Sequence, residues 1–477
     1  MMLCTIKDSF VGHLNIFGFD CFFALSNGYT LKIIPKAEDV EPLNIKCMER
    51  RYNFDSLGWI HAVSDWGNDV AFHLSEWQSK MCFHADTLTL IVDIILQTSN
   101  SKGADGKYLF DYIDLKGFSA IDFMGNAVDA IFSPKIAIKK DHVADNRIEW
   151  LPAVNYAKSF PTELCGVRCD LIFTVVVDRH DIDVNLTDLG ELHSVIRLEF
   201  DERQELSMIE TTWQAVCTLL AFCAGQLNVS DVSVGLWDEK QKIGTAGFES
   251  LIFCRINNDK VDGIEFQYPA FYRFQIDDFG NKLSALFKLL SQTETKPILS
   301  FLPRNNYDFN VDRNKIRDLC TALEVEFDYR KEEFANPVVT VLVDKLKNTV
   351  KDFKKENPEL LDENTYSYIY GSLGYISSPA KEKLWRIYRA YAEIIDADMK
   401  FSMFQRIICT EIQTQADIGW LVKARNDITH SVGFIESEIP NAIYFRLKTA
   451  VFCSVLERSG YSLHEISNIM KKYLGHR

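Results

Sequence analysis

The sequence lacks several features that would place the protein outside an ordinary cytoplasm. It has no long uncharged apolar stretch, so we expect no membrane-spanning helix. The first residues lack the basic, apolar and small-residue segments of a signal peptide. Its twelve cysteines include no pair at the two-residue spacing of zinc knuckles and redox motifs, which predicts buried, reduced thiols. We therefore expect a cytoplasmic protein.

Familiar catalytic and nucleotide-binding motifs are also missing. There is no Gly-x-Ser-x-Gly nucleophile elbow and no His-Glu-x-x-His zinc motif, and Gly103–Lys107 lacks the spacing and the Ser/Thr of a P-loop. The run Asp178–Asp183 gathers carboxylates and a histidine at the end of a predicted strand. A divalent-metal site and a polar loop both fit that run, and we favour the loop because no second ligand cluster is evident. The sequence thus predicts no metal and no cofactor.

Charge is divided unevenly along the chain. The 477 residues are 47% hydrophobic and 25% charged, as in globular proteins, and the length suits two to four domains. Residues 301–477 hold 25 basic and 25 acidic residues, so the first 300 residues carry the whole net charge of −15. An acidic surface repels phosphate backbones. We therefore expect any work on nucleic acid to be done by the C-terminal part.

The pattern of apolar residues changes near residue 300. Before it, strands dominate, being rich in β-branched and aromatic residues; examples are 31–34, 88–95, 171–177, 194–200, 232–237 and 251–254. One helix, Ile209–Ala224, interrupts them, and Pro303–Asn306 is a plausible linker. After it, helical periodicity predicts helices over 338–354, from Ser378 (N-cap) and Pro379 onward, and over 401–423, 442–456 and 463–472.

These patterns predict an α+β multidomain protein. Residues 1–300 form a β-rich N-terminal sensor or regulatory domain, as one unit or two subdomains. Residues 301–477 form an all-α helical bundle.

One stretch of the helical part suits chemistry on a phosphate. Lys423-Ala424-Arg425-Asn426-Asp427-Ile428-Thr429-His430 places an arginine five residues before a histidine. Metal-independent RNA cleavage must deprotonate the 2′-hydroxyl, protonate the leaving 5′-oxygen and stabilise the phosphorane, leaving a 2′,3′-cyclic phosphate. Histidine titrates near neutrality, and arginine stays charged and binds phosphate oxygens. Such a pair also recurs by chance, but this one follows a long amphipathic helix and precedes another apolar one.

Helical geometry limits how this pair can act. Five residues turn through about 500°, which leaves Arg425 and His430 roughly 140° apart on an unbroken helix. Asn426 and His430 are four apart and share a face, which suits Asn426 to orienting the imidazole. Either the helix bends, which Gly419 permits by weakening it by roughly 1 kcal/mol, or two copies each supply a pair to a shared cleft. We prefer the second arrangement, which predicts a homodimer.

The run Arg425–His430, with its lead-in 416–423, resembles the signature of the HEPN (higher eukaryotes and prokaryotes nucleotide-binding) superfamily. That signature is an arginine, usually a polar residue, a few variable positions and a histidine. Within the superfamily the chain is most similar to ApeA-type abortive-infection proteins of bacteria, which pair a β-rich domain with a C-terminal HEPN domain. The likeness extends over the whole layout but is loose in the first 300 residues, where it rests on 213–225 and 232–237. In the C-terminal part it rests on 377–391 and the motif.

The resemblance implies a HEPN nuclease domain over 301–477, with Arg425 and His430 catalytic and Asn426 supporting them. It implies RNA as the substrate, with transfer RNA as one candidate, and defence against phage as the role. The acidic N-terminal domain would then sense infection by binding a phage protein. The alternative is a non-catalytic HEPN module that binds a nucleotide or mediates dimerisation.

A basic helix follows Pro379. It carries Lys381, Lys383, Arg386 and Arg389 with three aromatic residues among them. One interpretation is a surface that contacts the RNA backbone, and the other is an amphipathic helix with aromatic residues in the core and a solvated basic face. Both can hold, because RNA would meet the solvated face. We assign substrate binding to Lys423, Lys383 and Arg386.

Overall fold

The structure is a computed structural model, and it describes part of the chain. The described residues are 10–26, 30–53, 58–74, 81–84, 86–92, 94–98, 109–118, 156–178, 191–224, 229–238, 241–248, 275–292, 313–334, 337–376, 380–399, 418–419, 421–423, 425–426 and 441–473.

The described residues fall into two compact units of different class. Those up to Ser291 belong to the first, which is β-rich, and those from Arg313 onward belong to the second, in which every described element is helical. The α+β class predicted from the sequence is therefore confirmed.

The first unit is built on a fully antiparallel sheet. Its strands are β1 (Phe10–Ile16), β2 (Phe19–Ser26), β3 (Thr30–Pro35), β4 (Gly58–Ser64), β5 (Asp69–Leu74), β6 (Met81–His84), β7 (Thr87–Ile91), β8 (Ile94–Thr98), β9 (Leu109–Phe118), β10 (Tyr156–Leu164), β11 (Val167–Asp178), β12 (Glu191–Glu205), β13 (Val229–Asp238) and β14 (Gln241–Phe248). They pair in the order β10-β11-β12-β9-β13-β14-β8-β5-β4-β1-β2-β3-β7-β6.

Helices accompany the sheet in this unit. They are α1 (Val40–Asn53), α2 (Ser207–Ala224), α3 (Ile276–Phe279) and α4 (Leu283–Leu290), with short 3-10 turns at Ala37–Asp39 and Gly280–Lys282. Helix α4 packs on β10, where the Thr162 hydroxyl donates to the Ser284 carbonyl oxygen at 3.0 Å. Helix α2 packs on β12 and α4.

Alternation of side chains gives the N-terminal strands one buried face. Strand β1 alternates buried and exposed residues along its whole length, as a strand with one solvated face must. Its buried residues join those of β2 and β3 in a core that also receives Leu43 and Cys47 of α1. The opposite, outer face of these strands remains exposed, with Val11 and Phe22 among its side chains.

Seven helices are described in the second unit. They are α5 (Arg313–Tyr329), α6 (Lys331–Phe334), α7 (Pro337–Glu356), α8 (Glu363–Ile376), α9 (Ala380–Met399), α10 (Asn441–Arg458) and α11 (Leu463–Tyr473). Helices α5, α9 and α10 pack on one another, and α11 packs on α9 and α10. Helix α7 packs on α8 as a helical hairpin.

Most of the predicted elements are confirmed. Helices α2, α7, α10 and α11 and strands β3, β11, β12 and β13 lie where periodicity predicted them. The single strand predicted over 88–95 is wrong, because β7 pairs with β3 and β8 pairs with β5 and β14, and buried Val92 lies in the break. The sequence hides this break, since apolar residues lie on both sides of Asp93 and resemble one strand.

The prediction of one helix in the first 300 residues is also wrong. Helix α1 escaped detection because its buried apolar residues are few and Pro42 lies in its first turn. The linker at 303–306, the strand at 251–254, the cap at Ser378 and Pro379, and residues 401–417 lie outside the described residues.

Candidate active site

The segment that carries the predicted motif is helical where it is described. Residues 418–419, 421–423 and 425–426 are in helical conformation. Ile418 and Leu421 are fully buried, whereas Lys423 and Asn426 are exposed. Residues three apart share a helix face, so the apolar pair anchors the segment and leaves its charged residues near solvent. His430 lies outside the described residues, and its geometry with Arg425 and Asn426 stays a prediction.

Arg425 is opposed by a carboxylate from α5. Its Nη2 lies 3.5 Å from Oε2 of Glu324, and both side chains are partly exposed. An ion pair of this kind contributes about 0–1 kcal/mol, because water screens it. A phosphate oxygen is a comparable or better acceptor for a guanidinium, so a bound phosphate can displace the carboxylate at small cost.

Cys320 lies one helical turn before Glu324 and is buried beneath this ion pair. Burial raises the pKa of the Cys320 thiol to about 12, while the Arg425 charge lowers it and the Glu324 charge raises it. The thiol is therefore protonated at neutral pH. It serves as apolar packing for the pair and not as a nucleophile.

Lys383 of α9 is bound to the next turn of α5. Its Nζ lies 3.2 Å from Oδ1 of Asp328 and 5.3 Å from the centre of the Phe327 ring. Glu324 and Asp328 are four residues apart, so they share a face and are separated by about 6 Å along the axis. The structure thus brings two of the predicted site residues, Arg425 and Lys383, to one edge of α5.

Arg386 is held differently from Lys383. Its Nε donates to Oε1 of Glu382 at 2.7 Å, and its Nη1 donates to the carbonyl oxygen of Phe334, at the end of α6. The guanidinium therefore ties α9 to α6. The substrate-binding role of Arg386 stays a prediction. Binding to RNA would compete with the contacts of Arg386 to Glu382 and Phe334.

Gly419 has a packing role beside the motif. A Cβ built on it would lie 3.2 Å from Cε of Lys381, at the start of α9. The missing side chain lets the Lys381 stem cross the segment closely. Residues 418–419 and 421–423 are helical, and the bend that the sequence permits near the motif stays a prediction.

The acidic partners were missed by sequence reasoning. Glu324 and Asp328 share the edge of α5 that receives Arg425 and Lys383. The available signal was two acids four apart on an amphipathic helix, a pattern that solvated helices use widely. Only their ion pairs with Arg425 and Lys383 distinguish Glu324 and Asp328 from ordinary surface acids.

Two classes of site have no support among the described residues. No group of three or more His, Cys, Asp or Glu side chains in that part of the chain is placed to hold a metal ion. Within the same residues, every helix is too short or too polar to cross a bilayer. Asp178 ends β11, and the rest of the run through Asp183 lies outside the described residues.

Comparison with known proteins identifies no relative. No protein-family model, no curated protein and no solved structure matches this chain.

Proposed function

We propose that the protein is a metal-independent endoribonuclease of the HEPN type that acts in abortive-infection defence against phage. The observation that supports it best is the placement of Arg425 and Lys383 along one edge of α5. Their carboxylate partners, Glu324 and Asp328, are one helical turn apart, so both cations lie on the same side of α5 and suit contacts with one phosphate backbone. Each cation is held by a carboxylate that a phosphate can replace.

In the proposed reaction the imidazole of His430 takes the proton of the ribose 2′-hydroxyl. The 2′-oxygen then attacks the adjacent phosphorus, and the bond to the 5′-oxygen breaks as that oxygen receives a proton. Arg425 stabilises the added negative charge on the phosphorane, and Asn426 orients the imidazole. If two copies share a cleft, each proton transfer has its own imidazole. Lys423, Lys383 and Arg386 bind the RNA backbone, and transfer RNA is one candidate substrate.

The β-rich unit is proposed to receive the trigger, a phage protein. Its outer face carries Ile34, Phe22, His13 and Val63 side by side on β3, β2, β1 and β4, through the pairings of these strands. Val11 lies on the same face, and the four apolar side chains (Ile34, Phe22, Val63 and Val11) are 42–57% exposed. Adjoining apolar side chains with this exposure mark a contact surface. We call these five residues the outer apolar face.

Charge favours one class of partner for the outer apolar face. Asp20, Asp65 and Asp69 border it, against Lys32, and the first 300 residues are strongly acidic. A second copy of this unit would bring acidic surface against acidic surface. A partner with apolar side chains flanked by Lys or Arg complements both features, so we assign the face to a phage protein of that composition.

Cleavage is tested by incubating purified protein with total RNA and mapping the new ends. We expect 2′,3′-cyclic phosphate ends that form in the presence of EDTA and disappear in His430→Ala and Arg425→Ala. The matched control is His464→Ala, which removes an exposed histidine of α11 and should leave cleavage intact.

Three outcomes would overturn the mechanism. They are cleavage that persists in folded His430→Ala, cleavage that stops with EDTA, and nucleotide binding without cleavage in the presence of a phage lysate that triggers protection. The last outcome identifies the alternative, a non-catalytic nucleotide-binding or dimerisation module.

A further inference from the structure

The hairpin of α7 and α8 has one well-defined inner face. Val343 of α7 is buried there. On the same side, Lys347 Nζ lies 5.2 Å from the centre of the Tyr370 ring and Lys354 Nζ lies 4.1 Å from that of Tyr366. Positions 343, 347 and 354 of α7 therefore face α8.

A second apolar line on α7 faces away from α8. Leu342, Leu346 and Phe353 are spaced four and seven residues apart and lie within about 40° of one another around the helix. Their exposed fractions are 38–52%, so about half of each of these side chains is open to solvent. With Thr349 they follow the spacing of a helix–helix seam, and we call these four residues the α7 stripe.

The charges beside the α7 stripe suit one kind of partner. Lys345 lies along one edge of the stripe in the first half of α7, and Asp352 and Glu356 lie along the same edge in the second half. A two-fold axis between Asn348 and Thr349 would place Lys345 opposite the partner subunit's Asp352. In a parallel two-fold pair this edge would instead lie on opposite sides of the seam in the two copies, so Lys345 would not meet the partner subunit's Asp352.

We propose that two copies of the chain associate through the α7 stripe, with their α7 helices antiparallel. The side chains of one stripe then fill the spaces between those of the other, and each copy contributes the same residues, as a two-fold interface requires. The proposal uses no residue of the candidate active site and does not depend on the nuclease function.

The size of the stripe sets the expected affinity. A helix of 20 residues is about 30 Å long and about 10 Å wide, so one face covers about 300 Å², less than the roughly 800 Å² per partner of a standard interface. Association through the stripe is therefore expected at micromolar concentrations.

The first test measures molar mass by sedimentation velocity of the full chain from about 1 to 100 µM, a range centred on that expectation. We expect the wild type to pass from monomer to dimer, and Leu346→Asp to remain monomeric, a loss of at least tenfold in affinity. Leu463→Asp on α11 is the matched control, since that leucine is similarly exposed and receives the same substitution. Equal thermal midpoints for the three proteins exclude unfolding as the cause.

The second test addresses the antiparallel register. Lys345→Asp and Asp352→Lys each place like charges face to face and should each weaken the dimer several-fold. The double variant restores an opposite-charge pair and should recover wild-type affinity. A wild type that is monomeric at the highest concentration, a dimer untouched by Leu346→Asp, or a double variant no better than its parents overturns the proposal.

Discussion

Arg425 carries a partly exposed charge that faces an acidic side chain. Its guanidinium has an acidic neighbour, Glu324, at a distance of 3.5 Å, which is long for a charge-assisted hydrogen bond. A contact of this length to Glu324 competes only weakly with a phosphate. In the proposed RNA-bound state, a phosphate takes the place of the Glu324 carboxylate beside the Arg425 guanidinium.

Replacing Glu324 by Gln tests this exchange. The substitution removes the competing charge and keeps the side-chain size, so the affinity for RNA should rise by about two- to fivefold, the equivalent of a partly exposed ion pair. The measurement is fluorescence anisotropy with a short labelled RNA, in a His430→Ala background that prevents cleavage.

The control for Glu324→Gln is Asp318→Asn, on the same helix. Asp318 pairs with Arg317 at 3.2 Å, so its replacement removes an equal charge away from Arg425. Equal gains in both variants would mean that net charge alone governs binding, and no gain in Glu324→Gln would mean that Arg425 does not meet the phosphate.

Between elements, buried polar groups fix how the helices of the second unit pack. Glu326 of α5 is fully buried, accepts from Ser454 Oγ at 2.6 Å and pairs with Arg458 Nη1 at 2.6 Å. Burial raises the pKa of Glu326, while Arg458 and the hydrogen bonds lower it. A second group joins α9 to α10 and to Arg330, which directly follows α5, because the Tyr391 hydroxyl donates to Glu457 and accepts from Arg330.

Removing Arg458 should therefore be costly. Arg458→Met leaves the carboxylate of Glu326 buried without its partner, and we expect a loss of about 3 kcal/mol in the free energy of unfolding. Adding Glu326→Gln removes the stranded charge and keeps a group that can bond Ser454, so the double variant should recover most of that loss. Urea denaturation at pH 7 measures both, and a double variant as unstable as Arg458→Met would show that the lost packing of Arg458 on Tyr329 dominates.

Sequence patterns predicted elements better than they predicted contacts between elements. Helix α11 has a strong helical periodicity, and β12 alternates apolar and charged residues over 196–200, so local physics encodes both elements. The opposition of Arg425 to Glu324 joins residues far apart in sequence, and nothing local to either one encodes it. The same holds for the sheet order, in which β9 lies between β12 and β13. The motif was therefore enough to propose catalytic side chains, whereas the acidic partner of Arg425 could not be predicted.

Across the whole molecule, charge is distributed unequally between the two parts of the chain. The first 300 residues carry the net charge of −15, and the outer apolar face lies among them. The remaining residues are neutral overall and contain the cations assigned to RNA. This division suits a protein whose two units meet different partners, because the acidic part attracts a basic partner and repels RNA, whereas the neutral part does not repel RNA.

The outer apolar face provides the test at this scale. Phe22→Asp places a charge at the centre of the face, and it should abolish protection in cells where the wild type limits phage growth. Because Phe22 is exposed, the thermal midpoint should change little. Ile45→Asp is the control, since Ile45 is equally exposed but lies on α1, which covers the inner side of the same strands. Undiminished plaque reduction by Phe22→Asp, or an equal loss with Ile45→Asp, would mean that the trigger binds elsewhere, whereas loss confined to Phe22→Asp assigns recognition to this face.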